Sequence, residues 1–316
     1  MEDSMTFIIL LFIASVRFAA PLGFAALGET LSQRGGVLNL GIEGYMALAT
    51  MVAYAGSYYT QNPWIATLMA MLASVLLALL CAFFSLTLRL SQIVVGLGII
   101  FFASGLVSLI NGVLFEYMAP LPGDMAFFHA QGIPFLRDIP WLGAILFSFH
   151  SLIYIMIIMT GVFWYVLYRT KFGLNIRAIG DAAAAADSMG VNVIKTRYAI
   201  VLISGAMSGI AGSYLALGAT RVFIEGMVGG RGFLVLAAVV LGKWNPIGAL
   251  LASFLFGLIT AVQYRGQIIF EGVFPTEFWL MLPYIVAILT LAITSWKRGA
   301  ETPSELAVPY NREERA

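Results

Sequence analysis

Eight apolar runs, each long enough to cross a bilayer as a helix, recur along the chain and constrain it more than any motif does. A spanning helix needs about 20 mostly apolar residues. That criterion marks Thr6–Leu27, Val37–Tyr59, Trp64–Leu88, Ile93–Phe115, Trp141–Tyr168, Tyr198–Thr220, Ile247–Tyr264 and Phe278–Trp296. A ninth run, Phe233–Gly242, is short for a crossing, and a re-entrant segment is an open reading of it. Residues are 61% hydrophobic and 10% charged, against roughly a quarter charged in soluble domains, so no water-facing surface can be built from them. In lipid every backbone polar group must be satisfied within its own segment, which favours helices. The expected fold is all-α: a polytopic membrane protein of eight to ten transmembrane helices in a single transmembrane domain over residues 1–316.

Charge is informative by position rather than by total. The net charge of +1 gives no reason to expect nucleic acid as a partner; lipid is the expected surroundings. Arg169, Lys171, Arg177, Lys195 and Arg197 cluster in one connection, 169–197, and Lys297 and Arg298 open the tail 297–316. Both segments are therefore expected on the cytoplasmic side, with Arg34 and Arg89. The connection Glu116–Pro140 holds Glu116, Asp124 and Asp138 against Arg137 alone and is expected outside, as is the acidic N-terminus. That N-terminus, Met1-Glu2-Asp3-Ser4-Met5, lacks the basic region of a cleavable signal, so the first run reads as a retained helix. The single Cys81 lies in an apolar run, and Cys/His spacings of a metal site are absent from the sequence.

Gly44-Tyr45-Met46-Ala47-Leu48-Ala49 leads on to Asn62-Pro63, and Gly232-Phe233-Leu234-Val235-Leu236-Ala237 leads on to Asn245-Pro246. On the charge-derived topology the two copies run in opposite directions. Such an inverted repeat lets two halves enclose a site at mid-membrane and open to either side; chance similarity in Ala/Leu/Gly-rich sequence is the alternative.

Polar groups at membrane depth are costly and mark pathways by default. The Gly36–Gly44 stretch carries Asn39 and Glu43, which share a face if the stretch is helical. They are candidates for binding the hydroxyls and ring nitrogens of a polar solute; Glu43 pairing with Arg34 or capping a helix is the structural alternative. Ser104, near the middle of the fourth run, is the third pathway candidate. Gln92 and Asn111 sit at span ends, where interfacial hydrogen bonding explains them, and Arg17 has the reach to snorkel or pair with a carboxylate. In the sixth run Gly205, Ser208, Gly209 and Gly212 form a small-residue stripe for close helix packing.

Within the basic connection, Arg177 and Gly180 precede Asp181, five alanines (Ala182–Ala186), Asp187 and Gly190. Asp181 as N-cap and Gly190 as C-cap predict a helix of about eight residues, ~12 Å long. So short a helix is marginal alone, and docking into a groove of another protein accounts for it.

Three stretches, Gly35–Gly44, Phe172–Gly190 and Gly230–Gly248, resemble the permeases of bacterial ATP-binding-cassette importers of the branched-chain amino acid and simple sugar group, most closely the nucleoside type. The resemblance implies a type II importer-like fold and a transport role for nucleosides, with a ribose-like sugar as the alternative. It implies a second permease, identical or paralogous, two ATP-binding subunits and an extracytoplasmic substrate-binding protein, all in a bacterial cytoplasmic membrane. It also implies that Arg177, Gly180, Asp181, Ala184, Asp187 and Gly190 belong to the coupling loop that meets the ATPase. This chain is then expected to bind no cofactor and to catalyse nothing. The phosphate-cradling pattern is indeed missing, since Trp244 follows Gly242-Lys243 and Ala237 stands where the first Gly should be. An ion-coupled secondary transporter is the rival, but it would place several ionisable groups deep in its spans. An intramembrane enzyme is poorly served by the isolated His129 and His150.

Overall fold

Two Asn-Pro pairs start two helices in the same way. Asn62 accepts from the N–H groups of Trp64 at 2.9 Å and Ile65 at 3.4 Å, and Asn245 accepts from Ile247 at 2.9 Å. Each is followed by Pro63 or Pro246 in the first turn, where a missing N–H costs nothing. The computed structural model describes residues 2–117, 125–129, 149–270, 273–296 and 302–311. Among them are ten α-helices and no strand. They are α1 (Glu2–Arg34), α2 (Ile42–Thr60), α3 (Pro63–Ala82, continued as a π-helical turn Phe83–Thr87) and α4 (Gln92–Tyr117). Then come α5 (Ser151–Arg169), α6 (Lys171–Ser188) and α7 (Val193–Tyr214, continued as a π-helical turn Leu215–Thr220). Last are α8 (Arg231–Leu241), α9 (Pro246–Ile269) and α10 (Thr276–Trp296).

Seven of these, α1, α3, α4, α5, α7, α9 and α10, are long and apolar enough to cross a membrane among the described residues. Helix α2 has 19 residues, about 28 Å at 1.5 Å per residue, and its Tyr, Gly, Ser and Thr make it less apolar. It is an interior helix, with Tyr45, Met46 and Ala49 fully buried. The short α8 has 11 residues.

The packing repeats itself. Helix α1 lies along α9 as α7 lies along α3; α2 packs on α7 as α8 packs on α1; and α4 packs on α2 as α10 packs on α8. Helices α1 to α4 and α7 to α10 are thus two copies of one arrangement joined through α1 on α7, with α5 and α6 between them in sequence. Helix α7 is the central member and the most buried of the seven long apolar helices. Its small residues make this possible. Gly205 faces Ala78 and Ser74, Gly209 faces Met71, and Gly212 faces Met46 and Ala49. Ser208, also buried, donates to the Ser204 carbonyl at 2.8 Å.

Three sequence expectations change. Helix α1 runs past Leu27 to Arg34, because Glu29, Thr30 and Gln33 are buried with partners rather than exposed in a loop. The segment from Val37 becomes helical only at Ile42, so Asn39 and Glu43 are not neighbours on one helical face. The basic connection begins its helix at Lys171, where the Thr170 hydroxyl accepts the Gly173 N–H at 3.2 Å. It breaks at Ala182, whose backbone is extended (φ −157°, ψ 84°), so a short second helix does follow and ends at Ser188, but the non-helical residue before it is Ala182 rather than the expected cap Asp181. The end is as expected: Gly190 has φ +87°. Its N–H reaches the Asp187 carbonyl at 2.9 Å while Val191 N–H reaches Ala186 at 3.1 Å, a Schellman closure. Trp141, most of the acidic connection, and Lys297 and Arg298 lie outside the described residues.

Candidate translocation site

Glu43 is the second residue of α2, and its carboxylate reaches a helix of the other copy. One oxygen accepts the Gly230 N–H at 2.7 Å and the other the Gly232 N–H at 2.6 Å. These amides begin α8, where unpaired N–H groups and the positive end of the helix dipole attract a carboxylate. Glu43 does cap a helix, but a helix nearly two hundred residues away in sequence rather than its own. A Cβ on Gly232 would fall 2.7 Å from the Glu43 nitrogen, so only glycine allows this approach. The N-termini of α2 and α8, the two corresponding short helices of the repeat, therefore meet head to head.

Beside this joint lies a cavity of about 550 Å³ walled by α1, α8, α9, α10 and the 222–229 loop, within the ~300–1,000 Å³ usual for small-molecule sites. Its polar lining includes Glu225, Arg231, Thr260, Gln263 and Tyr284. Phe18 and Tyr264, also on its wall, stack with ring centroids 5.1 Å apart. Arg231 folds back onto the Met227 and Val228 carbonyls at 2.6 and 2.9 Å, and Tyr284 donates to the Gly229 carbonyl at 2.5 Å. The residues that line the cavity are thus the ones that shape the start of α8.

Asn39 is buried in the loop between α1 and α2, outside the cavity. Its Oδ1 accepts from Gly41 N–H at 3.2 Å and Tyr45 O–H at 3.0 Å, while its Nδ2 has no partner. Its own N–H donates at 3.2 Å to Glu29, a fully buried carboxylate that also receives Gln33 Nε2 at 2.9 Å and Ser204 Oγ at 3.3 Å. Gln33 in turn accepts the Trp244 indole N–H at 2.7 Å, and Arg34 Nε donates to the Trp244 carbonyl at 2.9 Å. This network ties α1, the loop, α7 and the turn after α8 together, and three donors offset part of the cost of burying the Glu29 carboxylate. Reading the first span only to Leu27 hid it; the Glu29/Gln33 spacing of four was the available signal. Ser104 is exposed on the outer face of α4, between Phe101 and Leu109 that are also exposed, and lies apart from the cavity. Along α6, Asp181 and Ala184 are exposed, Arg177 and Asp187 half-buried, and Gly180 buried against the Arg34 carbonyl. Arg177 lies over the Tyr168 ring at 5.4 Å.

Stacked apolar helices in two matching sets, a mainly apolar cavity with a few polar groups on its wall and a charged connection at one end define a multi-pass membrane permease. A family model described as branched-chain amino acid transport system / permease component matches residues 11–291, and the chain belongs to that family. It is 37% identical to a guanosine ABC transporter permease protein of Bacillus subtilis, over 94% of this chain and 95% of that one. It is 34% identical to a nucleoside ABC transporter permease protein of Lactococcus lactis, over 87% and 89%. It is 33% identical to a putative glucose ABC transporter permease protein of Haloferax volcanii, over 95% and 97%. No solved structure matches.

Proposed function

We propose that this chain is the permease subunit of an ATP-driven importer of nucleosides, and that the solute passes by the cavity at the head-to-head joint of α2 and α8. The observation that carries the reading is Glu43 clamping the start of α8 on the wall of that cavity. A solute that engages Arg231 or Tyr284 pulls on the same amides that join the two copies. Stacked aromatic rings at Phe18 and Tyr264 suit a nucleobase face, and the Glu225 carboxylate and Gln263 amide suit ribose hydroxyls and ring nitrogens. The relatives named for guanosine and nucleosides support this choice of solute.

In this reading ATP is bound and hydrolysed by a partner subunit that meets the exposed stretch of α6 around Ala184 and Met189, the latter 86% exposed. A second permease completes the pore and an extracytoplasmic protein delivers the solute. The end bearing Arg34, Arg169, Lys171 and Lys195 faces the cytoplasm of a bacterial cell, with residues 302–311 beside it.

Cells with and without the chain are compared for uptake of labelled guanosine, with unlabelled ribose and glucose as competitors. Loss of uptake without the chain, and no competition by either sugar, is the expected result. Unchanged guanosine uptake with lost glucose uptake would transfer the assignment to a sugar, the reading the glucose relative favours. Collapse of uptake by a protonophore at constant ATP would point instead to ion coupling.

A further inference from the structure

Residues 302–311 return to the bundle end that carries α6 and are bonded there at three places. Glu305 N–H donates to the Gly180 carbonyl at 2.8 Å, and Ala307 N–H donates to the Gly36 carbonyl at 3.1 Å. The third place is Arg197, in the early turns of α7 and 1% exposed. Its Nη1 donates to the Val308 carbonyl at 3.1 Å while its Nε donates to the Gly35 carbonyl at 3.1 Å. One guanidinium thus grips both the tail and the loop that follows α1. Without such acceptors its burial would be strongly unfavourable.

The fit is close. Gly36 has φ +83°, and a Cβ there would lie 2.7 Å from Arg197 Nη2 and 2.9 Å from the Glu305 carbonyl. On the α6 side, Tyr310 packs against the cluster of Ile179, Ala183, Ala186 and Val193. From Gly36 the chain runs through Asn39, held by Glu29, into α2 and so to Glu43 and the first amides of α8.

We propose that residues 302–311 are a coupling strap, which fastens α6 to the Gly35–Gly41 loop so that a displacement of α6 is carried to the joint of α2 and α8. The proposal rests on the reading of α6 as the element that meets the ATPase. Its physical basis is two main-chain hydrogen bonds, one buried guanidinium and the Glu29 and Glu43 carboxylates that hold the loop and the joint, with α6 and the α2/α8 joint as the elements that move. Arg197 is in this view a positioning residue, acting through Gly35 and Val308.

The whole importer, reconstituted in proteoliposomes, is assayed for solute taken up per ATP hydrolysed. Two variants are compared with the native chain: deletion of 302–316, and Glu305→Pro, which removes the N–H that Gly180 accepts. Both are expected to keep the assembled complex and its ATP hydrolysis and to lose about tenfold in uptake per ATP, in the range of ordinary coupling energies. Unchanged uptake per ATP in either variant, at normal membrane level, overturns the strap. If the deletion lowers the amount of protein in the membrane, Glu305→Pro decides alone: unchanged stoichiometry overturns, the tenfold loss supports. An Ala184→Trp variant in the same assay separates the two layers. If it too leaves uptake per ATP intact, the coupling role of α6 falls; if it uncouples and the strap variants do not, only the strap falls.

Discussion

At Glu43 a single carboxylate spends both oxygens on backbone N–H groups of another helix, at 2.7 and 2.6 Å. Replacement by Gln keeps the shape and one acceptor but turns the second oxygen into a donor facing an N–H. Charge-assisted hydrogen bonds are worth about 1.5–3 kcal/mol each, so the joint loosens while the rest of the bundle is untouched. Glu43→Gln is expected to reach the membrane at normal level and to melt several degrees lower in detergent. It should import at a small fraction of the native rate, measured as initial uptake at saturating solute. Native uptake and melting would show that the joint does not matter to transport. The residue itself was conspicuous in the sequence, as an acid among glycines. Its partner was not, because nothing in local periodicity links Glu43 to an amide nearly two hundred residues further on; only the Gly44/Gly232 match hinted at the pairing.

At the scale of elements, Gly209 and Ser104 form a useful contrast. A Cβ on Gly209 would fall 2.6 Å from the Met71 Cα, backbone that cannot step aside without parting α7 from α3. Gly209→Val should therefore cost several kcal/mol, beyond the ~1–3 kcal/mol of ordinary overpacking, and be seen as loss of the protein from the membrane. Ser104→Ala, on the exposed face of α4, should leave both membrane level and uptake unchanged. Failure of that second expectation would place a partner or the pathway on α4. The stripe on α7 was readable because helical spacing and small size suffice to define it. The spans were readable from apolar length, to within a turn or so at most ends. Two features were not. Helix α1 continues through Glu29 and Gln33 because distant groups, Ser204 and Trp244, satisfy them. The 37–41 loop stays non-helical because the Asn39 amide and N–H are held by Gly41, Tyr45 and Glu29. Bonds to Ser204 and Trp244 settle the first, and of these the local pattern offered no more than the Glu29/Gln33 spacing of four.

For the molecule as a whole, the repeat sets a mechanical problem: two matching halves meet at α1 on α7 and at the head-to-head α2/α8 joint, while the element expected to meet the ATPase lies between the halves in sequence. The structure separates two substitutions of α6 that the sequence alone treats alike. Gly180 is buried against the Arg34 carbonyl and its own carbonyl accepts from Glu305, so a bulky residue there would part α6 from α1 and the tail. Ala184 is exposed and lies beyond the break at Ala182. Ala184→Trp should thus leave folding, membrane level and the detergent melting temperature as they are, and act on docking alone. Its expected signature is an assembled or weakly assembled importer whose ATP hydrolysis no longer rises with solute and whose uptake drops about tenfold or more. Gly180→Leu should lower the melting temperature as well. If the two variants instead behave identically in both stability and uptake, the exposed face of α6 has no role separate from its packing, and the ATPase must meet this chain elsewhere.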